Sequence, residues 1–148
     1  MDIVKYCSYF HDGSLINIRD NETDVQLFLE SAEVDPSSFS QKFQLTNENT
    51  IQGILHLQNI RKVLVDDQII DHPLTMKYSD GEILKLNIQK TVVFLLIEWK
   101  NYPPIGHAND VSKIEIESEK IYWEDKLFKG SETGKNDKYL DAKGRAIL

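Results

Sequence analysis

The apolar positions of this chain recur with a period of two far more often than with the helical 3.6, so strands are the predicted elements. Leu15–Arg19 and Asp24–Leu29 flank the polar cluster Asp20-Asn21-Glu22-Thr23 and read as a first hairpin. In its second run Val25, Leu27 and Leu29 share one face against Asp24, Gln26 and Glu30, while Phe28 interrupts the polar face and marks a second small contact. Pro36-Ser37-Ser38 is a loop signal, followed by even spacing of Phe39, Phe43 and Leu45. Thr50–Ile60 is strand-like, with Gly53 as a bulge or a close backbone approach. From Arg61 to Ile70 both periods fit, and a short helix is expected there. Leu74, Met76 and Tyr78 alternate before Asp80-Gly81, the chemistry of a tight hairpin turn, and Ile83–Ile88 follows. Gln89-Lys90 is a second turn, and Val92–Trp99, apolar on both faces until Glu98, is the expected central strand before Tyr102-Pro103-Pro104. Lys113–Trp123 supplies a further alternating strand.

The resulting fold class is mainly β: a curved antiparallel sheet or a β-sandwich of seven or eight strands with one short helix. Its 148 residues suit a single domain, with residues 124–148 a polar C-terminal tail, either docked or mobile. No fixed-length repeat is visible, which excludes solenoids and propellers.

Charge narrows the function classes. The formal net charge of −7 argues against a nucleic-acid binder, which gathers Lys and Arg on one face. No signal-like start and no apolar run near the ~20 residues that span a bilayer is present, so no membrane partner is expected and a cytoplasmic location is. Cys7 is the sole cysteine, which removes any internal disulfide and fits a reducing compartment. The charge is also local: Asp20, Glu22, Asp24, Glu30, Glu33 and Asp35 lie within Asp20–Gln41 without one Lys or Arg. Such a stretch is either a solvated strand face or a surface that attracts a basic protein. Trp99 and Tyr102, aromatics at a strand end, are candidate anchors of the same interface.

Catalytic and metal motifs fare less well. His11-Asp12 resembles part of a metal-dependent phosphohydrolase site but lacks the further ligands such sites need; Asp12-Gly13 reads as a turn, with Gly13 supplying positive φ. The histidines at 11, 56, 72 and 107 have no ligand-like spacing, and His56 reads as a solvent-facing strand residue or a cross-strand partner. Gly130–Lys135 has three residues between its glycines where a phosphate-binding loop has four. No cofactor and no metal are expected.

Tyr9-Phe10-His11-Asp12-Gly13 before a first strand, Asn59–Leu64 within a middle one, and Glu98-Trp99 ahead of a proline together resemble a loose group of small bacterial proteins, some of which resemble immunity proteins of polymorphic toxin systems. The resemblance implies a mainly antiparallel β fold and a non-catalytic protein that binds another protein. The leading expectation is therefore a binding protein of immunity or inhibitor type. A small-molecule binder or hydrolase with a pocket near His11 and Asp12 is the alternative, and a self-associating structural subunit a third.

Overall fold

A computed structural model describes residues 2–38, 44–100 and 110–128. The 39–43 part of the expected third strand, Tyr102 with its prolines, and residues 129–148 lie outside them. The fold is mainly β. Strands β1 (Ser14–Asp20), β2 (Val25–Glu30), β3 (Gln52–Val65), β4 (Gln68–Ile69), β5 (Gly81–Gln89), β6 (Val92–Trp99) and β7 (Val111–Asp125) form one antiparallel sheet in the order β2-β1-β5-β6-β7-β3-β4. An additional pairing of β2 with β3 closes six of them into a barrel and leaves β4 outside. The sheet is thus curved to closure rather than folded into a two-layer sandwich. Among the described residues no helix is long and apolar enough to cross a membrane.

Alternation builds the interior. Val25, Leu27 and Leu29 of β2 face Leu55 and Leu57 of β3, Ile83 and Leu86 of β5, Val93, Leu95 and Ile97 of β6, and Ile114 and Ile116 of β7, each at most 2% exposed. The opposite face of β6 is only half covered, so this strand alternates like its neighbours. On the outside, Phe28 does mark a second contact: it packs with Ile54 and Phe128, and Arg19 lies 4.9 Å above its ring.

Three local expectations give way. The segment Arg61–Ile70 is not helical: β3 runs to Val65, paired with β7 as far as Ile114, and Asp66-Asp67, both at positive φ (52° and 70°), turn the chain into β4. A bulge between Ile60 and Lys62 shifts the inward parity, so that Ile60 and Val63 acquire a spacing of three that imitates a helix. Leu74–Tyr78 is not a strand, although Leu74 is buried and Met76 and Tyr78 pack on the core. Gly81 accordingly lies inside β5 and not in a tight turn; a Cβ there would stand 2.5 Å from Ile97 and 3.1 Å from the Trp99 ring. The Gln89-Lys90 turn is present, with Lys90 at φ 56°.

The helix is elsewhere. Residues Ile3–Phe10 form a 3₁₀ helix whose first turn is capped by the Asp2 carboxylate, and Ile3, Cys7 and Phe10 point into the core. The helix packs along β5, with Phe10 edge-on to Trp123 at 5.4 Å. Burial pushes the Cys7 thiol above its ordinary pKa, and its Sγ donates to the Ile3 carbonyl. A thiol-specific disulfide reagent is therefore expected to leave the folded chain unmodified and to react with one thiol per chain in denaturant, which absorbance of the released thiolate reads directly.

Candidate functional site

The six carboxylates of the acidic stretch are not one patch. β2 separates them: Asp20, Glu22 and Asp24 surround the β1–β2 turn, whereas Glu30, Glu33 and Asp35 lie at the other end, about 20 Å away at the rise of an extended chain. At the far end the side chains serve the fold. Glu30 accepts from the Thr50 hydroxyl at 2.5 Å, and Asp35 accepts from the Ser37 amide and hydroxyl, bonds that hold its carboxyl below the usual range. Glu33 is exposed.

At the near end, side chains shape the turn itself. Asp20 receives the Glu22 amide at 2.7 Å through Oδ1 and the Leu74 amide at 2.7 Å through Oδ2. Asn21 Oδ1 receives the amides of Thr23 and Asp24, and Asp24 Oδ1 that of Asn59 at 2.9 Å. Glu22, at φ 78°, is thereby presented in solvent on a turn fixed from both sides.

Beside this turn a polar groove of about 350 Å³ runs across the outer face of the barrel. Its floor is a single cross-strand row, Gln26 of β2 opposite His56 of β3 opposite Tyr122 of β7. The His56 and Tyr122 rings stack 4.5 Å apart at 6°, and Lys120 lies 5.6 Å over the Tyr122 ring. His56 Nε2 meets Glu124 Oε1 at 2.7 Å and Nδ1 faces the Gln26 amide at 3.4 Å. With Gln26 donating, the imidazole is held as the Nε2–H tautomer. Arg19, Asp24 and Gln58 complete walls that offer donors and acceptors of both charges. His56 is thus the cross-strand partner its alternation suggests. Its neighbours were not legible, because the Gln26–His56–Tyr122 row exists only once the register is known.

The remaining sequence candidates disperse. Trp99 is a core residue, 4% exposed, with its indole N–H donated to Ser112 Oγ at 2.8 Å; it is no surface anchor. Tyr102 lies outside the described residues. His11 is half-buried at the end of the 3₁₀ helix, its amide bonded to the Ser8 carbonyl, and Asp12 is exposed. Asp12 itself takes the positive φ, 69°, that was expected of Gly13, while Gly13 is required for close approach. Among the described residues no group of three or more His, Cys, Asp or Glu side chains is placed to hold a metal ion.

The carboxylate that ends β7 is tuned by partial desolvation although it is exposed at the surface. Desolvation raises Asp125 above the ordinary carboxylate range, against the lowering effects of the Gln44 amide and the Trp123 side chain. A raised pKa means the protonated form suits the folded state, so this group favours folding at low pH and opposes it once ionised. Asp125→Asn is expected to raise the thermal midpoint at pH 7, the gain disappearing as pH falls below about 4, near the unfolded value; calorimetry across pH checks this.

Compared with models of known protein families, with curated proteins and with solved structures, the chain matches none.

Proposed function

We propose that this protein is a non-catalytic binding domain of immunity or inhibitor type, acting in the cytoplasm, and that it engages a basic partner protein through the β1–β2 turn and the adjoining groove. The observation that carries this reading is the fixed acidic turn. Asp20, Asn21 and Asp24 spend their side-chain acceptors on backbone amides of the turn, of Leu74 and of Asn59, so Glu22 is displayed without the ordering cost a mobile loop would have on binding. The sequence resemblance to a group of small bacterial proteins, some of them immunity-like, supports the same reading. A barrel interior filled over most of its length with aliphatic and aromatic side chains leaves recognition of another protein to the outer surface.

Charge reversal at Glu22 is the clean test, because Asp20 and Asp24 also hold the fold. Glu22→Lys is expected to change stability by less than about 0.5 kcal/mol and to weaken capture of the partner from source cells at least tenfold, mostly through slower association. Glu33→Lys, the same reversal at the far end of β2, is expected to leave capture intact. Equal capture by both variants, or no partner at low salt, removes the acidic turn from the account.

A further inference from the structure

The row Gln26–His56–Tyr122 on the outer face of the barrel holds an imidazole with both ring nitrogens in use. The His56 side chain is 13% exposed and its ring lies flat on Tyr122, so it cannot swing into solvent without giving up the stack and both polar contacts. Glu124 Oε1, 2.7 Å from Nε2, suits the ring in either charge state: Nε2–H is donated to the carboxylate whether Nδ1 is bare or protonated. A proton taken up in the range where imidazoles change charge, between about pH 5 and 8, therefore goes to Nδ1 and leaves the ring in place.

Gln26 is the group that must respond. Its amide nitrogen stands 3.4 Å from Nδ1 and donates to the neutral ring; once Nδ1 carries a proton, two donors face each other. A half-turn of the amide about its last torsion brings Oε1 to Nδ1 and restores the bond without any backbone movement. Gln26 lines the groove, so the end of its amide turned away from His56 changes from an acceptor to a donor. The charge around His56 changes with it. β2 presents Gln26 and Asp24 to the groove, β1 Arg19 and Asp20, and β3 Gln58, while from β7 Glu124 meets the ring and Lys120 lies 5.6 Å over Tyr122. Among the groove-lining side chains Asp20 and Asp24 are opposed by Arg19 alone, and protonated His56 brings these charges to balance.

We propose that His56 is a proton-sensitive control of the groove: protonation at Nδ1 turns the Gln26 amide and cancels the acidic excess of the groove, so that a basic partner is held more weakly as the pH falls. The weaker hold, though not the turn of Gln26, rests on the reading of the acidic turn and its groove as the surface for a basic protein.

Long-range proton–nitrogen spectra of the full chain report the tautomer and protonation of the His56 ring, and the side-chain amide resonances of Gln26 report which end of the amide meets it. The expected result is the Nε2–H tautomer at high pH, with Gln26 shifts that follow His56 through one midpoint between about pH 5 and 8. A short oligolysine, whose charge is constant over this range, serves as the basic probe at low salt. It is expected to bind about threefold more weakly at the low end of the range than at the high end. His56→Gln, with no ring to titrate, is expected to lose that difference, the other histidines being common to both proteins. The Nδ1–H tautomer at high pH, a Gln26 amide that ignores the titration, or the same pH dependence in His56→Gln would each overturn the proposal. Failure of the oligolysine to bind at either pH removes the acidic surface and the weaker hold with it. The Gln26 resonances of the unaltered chain still decide the turn in that case, whether or not the variant folds.

Discussion

Gly13→Val is expected to cost at least ~3 kcal/mol, a large part of the ~5–15 kcal/mol that stabilises a domain of this size. The barrel is narrowest in its bonding where β1 meets β5: two register pairs, Ser14 with Glu82 and Leu15 with Gly81, extended by reciprocal bonds of Asp12 and Gly13 with Ile83. A Cβ on Gly13 would run into the Glu30 carbonyl oxygen and stand 2.9 Å from the Ser31 carbonyl carbon and 3.0 Å from the Phe10 oxygen. All three are backbone atoms and cannot swing aside. The intruding side chain must push β1 away from β2 or from β5, and the second seam has little to lose. Urea denaturation followed by circular dichroism measures the loss. Gly81→Ala provides the contrast, since its Cβ would meet the side chains of Ile97 and Trp99, which can yield; a cost of ~1–3 kcal/mol is expected. Equal costs at the two positions would show that backbone crowding at the seam is not the cause.

Phe10→Ala is expected to cost ~3–5 kcal/mol, as large as truncation anywhere in the barrel. Phe10 belongs to no strand, yet it is 0% exposed and meets the Trp123 ring edge-on at 5.4 Å. Ile3 and Cys7 extend the same face of the 3₁₀ helix into the core along β5. If the helix were an accessory laid on a finished barrel, removing the ring would cost under about 1 kcal/mol. A lowered urea midpoint together with loss of the near-ultraviolet signal of Trp123 distinguishes the two.

What the sequence shows and what it hides follow from the range of the interactions concerned. Strands whose partners lie nearby were legible: the β1–β2 and β5–β6 hairpins carry their own alternation and turn residues, and the mainly β class follows from them. The bulge in β3 was not, because one extra residue after Ile60 turns strand alternation into helical spacing, and only the partner strand β7 reveals it. Leu74, Met76 and Tyr78 alternate as a strand does, but their ladder is absent and alternation alone records burial. The acidic run was legible as composition and misleading as geometry, since a strand of six residues divides it between the two ends of β2. The groove floor joins residues 26, 56 and 122, a distance along the chain that no local pattern spans.

The ladder between β3 and β7 bears on synthesis as well as on stability. It is the longest in the sheet and joins Gly53 to Asp125 and Val65 to Ile114, so half of its hydrogen-bonding partners are made late. A nascent chain can form the β1–β2–β3 hairpins early, but the β7-facing edge of β3 stays without its partner until residues beyond Asp125 leave the ribosome. Non-local pairing of this kind slows folding and leaves a fourteen-residue edge open to other nascent chains in the interval. Arg61 and Lys62, exposed charges on that strand, stand where they discourage such pairing. A chain stalled before β7 is thus the form most prone to associate wrongly, and holdase chaperones would meet it there.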